Sequence, residues 1–175
     1  KIGIVTDSHS SISQEEAEKL GIFVLPMPFY IDGECFYESV TLSRELFFEK
    51  LAAGADITTS QPSPTAVMEI WDKALEQFEK ILYMPISSGL SGSYETAMML
   101  AKDEAYEGRV LVVDDGQVAA PLHQMVLDTL DMIEKGYEAE QIRDLLERAG
   151  DRMMIYIALQ TLECLKKGGR VTPAA

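Results

Sequence analysis

The residues of this chain whose types and spacing suggest chemistry are hydroxyls. Ser87-Ser-Gly-Leu-Ser-Gly-Ser93 places four serines and two glycines directly after the apolar run KILYMPI. Such a loop suits a serine nucleophile, a phosphate cradle, or a set of donors for some other anion. A nucleophile elbow reads G-x-S-x-G, but Gly89-Leu90-Ser91-Gly92-Ser93 puts a serine where the last glycine belongs. A general base is also needed, and the chain holds two histidines. His9 follows the first apolar run and could face the loop. His123 starts a helical pattern among apolar neighbours and reads as a packed or surface residue. A nucleotide loop needs the lysine of G-x-x-x-x-G-K-[ST], which is absent.

Two acidic positions accompany the hydroxyls. Asp7 could accept a phosphoryl group or bind a metal, but an aspartate there equally caps loop N–H groups or anchors neighbouring loops. Asp114-Asp115 precede Gly116 and read first as a turn. The remaining chemistry is anion binding: Thr59 and Ser60 in ITTSQPSP, together with Ser91, could donate to one carboxylate. Each bond to a charged acceptor contributes roughly 1.5–3 kcal/mol. These loops carry neither Lys nor Arg, which a single carboxylate tolerates, because hydroxyls and helix-terminal N–H groups suffice. A small-molecule enzyme of phosphotransferase or hydrolase type using Asp7 and Ser91 stays open as the alternative.

The elements that must position these residues follow from periodicity. KIGIVTDS predicts a buried strand, and SQEEAEKLG a helix capped by Ser13 and Glu16 and stopped at Gly21. IFVLPMPFYI and ECFYE flank Asp32-Gly33, a hairpin signal, with Pro26 and Pro28 demoting the first part to an irregular or edge strand. SRELFFEKLAAG reads as a short amphipathic helix closing at Gly54, and SPTAVMEIWDKALEQF as a helix with Ser63 as cap and Pro64 in first position. KILYMPI, RVLVVD and RMMIYIAL read as strands. GSYETAMMLAKDEA, PLHQMVLDTLDMIEKG and EAEQIRDLLERAG read as helices, and TLECLKKGG as a helical turn. This alternation predicts an α/β fold with a mainly parallel sheet flanked by helices. In such sheets ligands bind beyond the carboxyl ends of the strands. Those ends carry Thr6-Asp7-Ser8, Ser87 to Ser93, Asp114-Asp115-Gly116 and Gln160-Thr161.

Bulk properties narrow the function. The 175 residues are 47% apolar, enough to bury a core. A net charge of −14 argues against sequence-independent binding to nucleic acid or anionic membrane, both of which call for dense Lys and Arg. Cys35 and Cys164 stand far apart in no metal-ligand spacing and read as reduced thiols. No apolar run approaches the ~20 residues of a membrane span. A soluble, cytoplasmic protein is expected. Nine methionines, with pairs at Met98-Met99 and Met153-Met154, offer adaptable apolar surface of a kind that accepts an alkyl chain. The chain ends at GGRVTPAA without a terminating element, which suggests a longer protein.

Four segments together, VTDSHSSI, ITTSQPSP, ISSGLSGSYETA and TLECLKKGGRV, resemble the DegV family in order and spacing from Ile2 to Pro173. These are bacterial fatty-acid-binding proteins that include the B subunits of fatty acid kinase. The resemblance implies an N-terminal α/β domain, here residues 1–165, and a C-terminal α/β domain, absent here, whose junction begins over 166–175. It implies one long-chain fatty acid as ligand, with no metal and no other cofactor. The carboxylate would lie at the serine and threonine loops and the acyl chain in an apolar tunnel. In kinase-linked members the protein presents the carboxylate to a separate ATP-dependent subunit, and the acyl-phosphate feeds phospholipid synthesis. The binding subunit does no chemistry itself.

Carried over by residue, Thr59 and Ser91 match the carboxylate-holding positions, with Ser60 and Gly92 beside them. Arg170 matches an exposed arginine that docks the kinase subunit, and Lys166 and Lys167 make that segment locally basic. Cations there equally suit a solvated helix C-terminus. The chain departs from the family in DDGQVAAPL after VLVVD and in Gln160, where an aspartate is common.

Overall fold

Near-continuous apolar runs, which supply side chains to both sides of each strand, produce a sheet with two buried faces. In the computed structural model, which describes residues 1–38, 40–159 and 161–171, the strands are β1 (Ile2–Asp7), β2 (Phe23–Leu25), β6 (Lys80–Met84) and β7 (Val110–Val112). They form a parallel sheet in the order β2-β1-β6-β7, with Thr6 opposite Val24 on one side and Met84 on the other. Ile4, Leu82, Met84 and Leu111 point to one face and meet Ile12, Leu122, Val126, Ile142 and Leu146. These last come from the segments around helices α1 (Gln14–Leu20), α5 (Ala119–Glu134) and α6 (Ala139–Gly150). Val5, Ile81, Tyr83 and Val112 point to the other face, against Val67, Trp71 and Ala74 of α3 (Pro64–Leu75) and Ala97 of α4 (Ser93–Leu100). Trp71 is fully buried and meets Tyr83 and Tyr106 edge-on, at ring-centroid distances of 5.3 and 5.2 Å.

These elements make up one compact unit, Lys1–Met27 with Gln61–Met153; a second unit comprises Pro28–Ser60 with Met154–Ala175. The second unit holds an antiparallel sheet in the order β4-β3-β5, built from β3 (Pro28–Ile31), β4 (Glu34–Tyr37) and β5 (Ile57–Thr59). It also holds α2 (Arg44–Ala52) and α7 (Glu163–Lys167). Phe29, Ile31 and Leu42 form its small buried cluster.

Most predicted elements stand where expected. Ser13 Oγ accepts from Glu16 N, Gly21 ends α1 at φ +68°, and Ser63 Oγ accepts from Ala66 N ahead of Pro64. Asp32 and Gly33 adopt φ of 50° and 85° and close the β3–β4 hairpin, as the primed turn demands. β2 is an edge strand, as its following prolines require.

Two expectations fail. RMMIYIAL forms no strand: 153–159 is irregular, and Met154, Tyr156 and Ile157 are exposed by 75, 88 and 58%. An apolar run alone makes no strand without a ladder partner for its N–H and C=O groups. SRELFFEKLAAG is helical but not amphipathic, since α2 buries none of its residues, and Leu46, Phe48 and Leu51 face outward. Gln160 and residues 172–175, which the DegV resemblance reaches into at Pro173, lie outside the described residues.

Candidate functional site

The carboxyl ends of β1, β6 and β7 gather the expected polar loops, and backbone hydrogen bonds tie them to one another. Asp7, fully buried at the end of β1, accepts from His9 N at 2.9 Å through Oδ1 and from Ile86 N at 2.8 Å through Oδ2. Burial pushes its carboxyl above the ordinary range, and His9 and the two N–H donors pull it back. Both oxygens are therefore engaged in holding loops, which is the anchoring role. Ser88 donates N–H and Oγ–H to the Asp114 carboxylate after β7, and Ser87 N donates to Gln117 O at 2.9 Å. Asp114 Oδ1 also accepts from Gly116 N and Asp115 Oδ1 from Gln117 N, so the paired acids do make the expected turn. His123 Nε2 sits 3.0 Å from Glu16 Oε1, away from these loops, in the surface role expected of it.

The Ser87–Ser93 loop turns through Leu90 N and Ser91 N, both donating to Ser87 O, and enters α4 at Gly92. Gly92, which opens that helix, has no side chain with which to cap it. Ser91 Oγ accepts from Ser93 N at 3.3 Å and lies 2.9 Å from Ser93 Oγ. Ser93 is buried whereas Ser91 is half-exposed. Either hydroxyl of this pair can be the donor. Gln61 reaches the same helix start: its Oε1 accepts from Thr96 Oγ1 at 2.9 Å and lies 3.7 Å from where a Cβ at Gly92 would stand. Sequence reading quoted Gln61 within ITTSQPSP and gave it no role; its position one residue after Ser60 was the available signal.

Thr59 and Ser60 are exposed and belong to the second unit, whereas Ser91 and Gly92 belong to the first. Thr59 ends the edge strand β5 opposite Phe29, so it lies ahead of the α3 start rather than on it. Of the basic residues, Lys166 and Lys167 occupy the last turn of α7, and Lys167 Nζ pairs with Asp56. Arg170 is exposed and donates to Gly168 O at 3.1 Å. Cys35 and Cys164 are free and exposed.

Among the described residues, no group of three or more His, Cys, Asp or Glu side chains is arranged to hold a metal ion, and no helix is long and apolar enough to cross a membrane. The geometry offers hydroxyl and backbone donors at a helix start on top of a rigid parallel sheet. Unpaired N–H donors at a helix start suit an anion.

Comparison with known proteins points the same way. A family model described as uncharacterised protein, DegV family, matches residues 1–175. A DegV domain-containing protein of Streptococcus pneumoniae is 34% identical over 178 residues, covering 100% of this chain and 62% of the relative. One from Caldanaerobacter subterraneus is 31% identical over 172 residues, covering 98% and 61%. The chain thus spans about three fifths of the length of these relatives. Among solved structures, a DegV family protein of Thermus thermophilus described for its fatty acid binding superposes with a TM-score of 0.85 at 32% identity, over 99% of this chain and 62% of that one. A stearic acid-binding protein of Eubacterium ventriosum gives 0.82 at 25%, over 100% and 62%.

Proposed function

The chain belongs to the DegV family, and we propose that it binds a long-chain fatty acid without transforming it. The observation that carries this reading is the Ser87–Ser93 loop. It is a hydrogen-bonded turn that ends at a helix start opened by glycine, with a half-exposed Ser91 hydroxyl paired with the buried Ser93 hydroxyl. Ser91 Oγ–H and the N–H groups opening α4 from Gly92 onward hold the carboxylate. The fatty acid binding of the Thermus thermophilus relative supports the identity of the ligand. Thr59 and Ser60 join the donor set on the strength of the DegV resemblance. Cationic clamps are unnecessary, because hydrogen bonds to a charged acceptor each contribute roughly 1.5–3 kcal/mol.

The same reading extends to partners and organisation. The protein presents the bound carboxylate to a separate kinase subunit for acyl-phosphate formation, and Arg170, Lys166 and Lys167 supply the basic docking patch on an acidic chain. Residues 1–165 act as the N-terminal α/β domain and 166–175 open the junction to a second one, in keeping with the greater length of the relatives. The working compartment is the cytoplasm.

Substitution tests the site. Ser91→Ala combined with Thr59→Ala removes two donors and lowers fatty-acid affinity by about 3 kcal/mol or more, some hundredfold, in a lipid-competition assay, while the circular dichroism stays that of the parent. Unchanged affinity in the double variant overturns the site assignment.

A further inference from the structure

Beneath the Ser87–Ser93 loop lies a group of buried acceptors that lacks a donor. Asp115 is wholly buried and Gln117 is 1% exposed. Each is half-satisfied by the other: Asp115 Oδ1 accepts from Gln117 N, and Gln117 Nε2 donates to Asp115 O, both at 3.0 Å. Asp115 Oδ2 and Gln117 Oε1 are buried without a hydrogen-bond partner. Two orphaned acceptors in one turn are costly, since each gives up water and receives nothing. A Cβ at Gly150 of α6 would stand 2.1 Å from Asp115 O, so the helix backbone presses directly on the turn.

The charged surroundings are acidic. Asp114 on the same loop, Asp7 at the end of β1 and Glu147 on α6 all act on Asp115. Of these, Asp7 in turn faces His9, which draws its pKa down, and acts on the buried Tyr83 hydroxyl. Glu147 Oε1 accepts from Asp114 N at 3.3 Å. Glu147 faces Arg143, a cation that acts on Glu147 and is not among the groups acting on Asp115. No cation among the groups acting on Asp115 compensates a charge there.

We propose that Asp115 is a positioning residue held as a neutral acid, whose proton fastens the Ser87–Ser93 loop and whose ionisation releases it. A proton on Oδ2 is the donor missing from this group of acceptors. The route to the loop is short, because Gln117 O receives Ser87 N and Asp114 Oδ1 receives Ser88 N. Burial, with the neighbouring carboxylates adding to it, raises the Asp115 pKa to about 7. The direction of linkage follows. With the loop open and Asp115 in water, its pKa returns to about 3.9. Below that value both states carry the proton and the loop is fully fastened. As pH rises towards 7 the open state sheds its proton first, so opening grows easier, and above 7 the loss is complete and levels off.

Amide hydrogen exchange on the ligand-free protein reads this directly. Protection of the Ser87 and Ser88 N–H groups falls by about tenfold per pH unit between about pH 5 and 7 and then levels. In Asp115→Asn, whose amide stays neutral and supplies a donor, that fall is largely lost over the same range. Carbon-13 NMR of the Asp115 carboxyl in the unaltered protein needs no variant and shows a titration midpoint near 7. A midpoint in the ordinary aspartate range, or an identical slope in Asp115→Asn, overturns the proposal. Only the bearing of this switch on ligand release rests on the fatty-acid reading. Exchange and NMR are measured without ligand, so they fail or succeed independently of it.

Discussion

The two units of the chain bury their apolar residues very differently. In the first, Trp71, Ile81, Leu82, Tyr83, Met84 and Ile142 are sealed on the two faces of the parallel sheet, none more than 1% exposed. In the second, Phe29, Ile31 and Leu42 are the buried apolar residues, while Val40, Phe48, Met154, Tyr156, Ile157 and Leu162 are half-exposed or more. The difference teaches where stability and where adaptability reside. A parallel sheet covered on both faces holds its shape by its own packing, and it is on this sheet that Ser91, Gly92 and the buried acids are carried. The three-stranded sheet and the irregular 153–159 segment have little core to hold them, and the conformation there is set by few contacts.

Substitutions sharpen this contrast, the largest effect first. Trp71→Ala removes a fully buried ring that meets both Tyr83 and Tyr106. It costs about 3–5 kcal/mol in a denaturant titration. A loss below about 1 kcal/mol would mean that the first unit is loosely packed after all. At the other extreme, Tyr156→Ser changes a side chain exposed by 88%. It shifts stability by no more than about 0.5 kcal/mol. A loss several times larger would show that Tyr156 is buried in solution and that the contrast between the units is false.

The same contrast explains what was legible in the sequence. Elements of the first unit announced themselves through local signals that packing then honoured: Ser13 and Ser63 as caps, Pro64 at a helix start, Gly21 as a stop. The Asp32-Gly33 hairpin was legible in the second unit for the same reason, because a primed turn is a property of two residues. RMMIYIAL was not, since an apolar run satisfies only half of what a strand requires and the other half is a neighbour that sequence does not display. Likewise α2 carries Leu46, Phe47, Phe48 and Leu51, yet none is fully buried: Phe47 packs against Phe29, while Leu46, Phe48 and Leu51 meet no such cluster and stay exposed.

At the site, the hydroxyl loop was legible and its mooring only partly so. Ser87 to Ser93 stands out by composition, and Asp7 as an anchor of neighbouring loops is what a strand-end aspartate does. Asp114 and Asp115 read as a turn and do form one, but the burial of Asp115 depends on the close approach of Gly150, thirty-five residues further on. Local sequence carries no sign of that contact. Gln61 is similar: its hydrogen bond to Thr96 joins segments far apart in the chain.

The central claim is that this protein holds a fatty acid rather than transforms a substrate. Native mass spectrometry of the protein purified from bacteria without detergent tests it most directly, followed by lipid extraction of the same sample. The account predicts one long-chain acyl carboxylate per protein molecule, recovered unmodified after prolonged incubation. Recovery of protein free of any acyl chain under these gentle conditions, or of an acyl chain chemically altered by the protein alone, would contradict it.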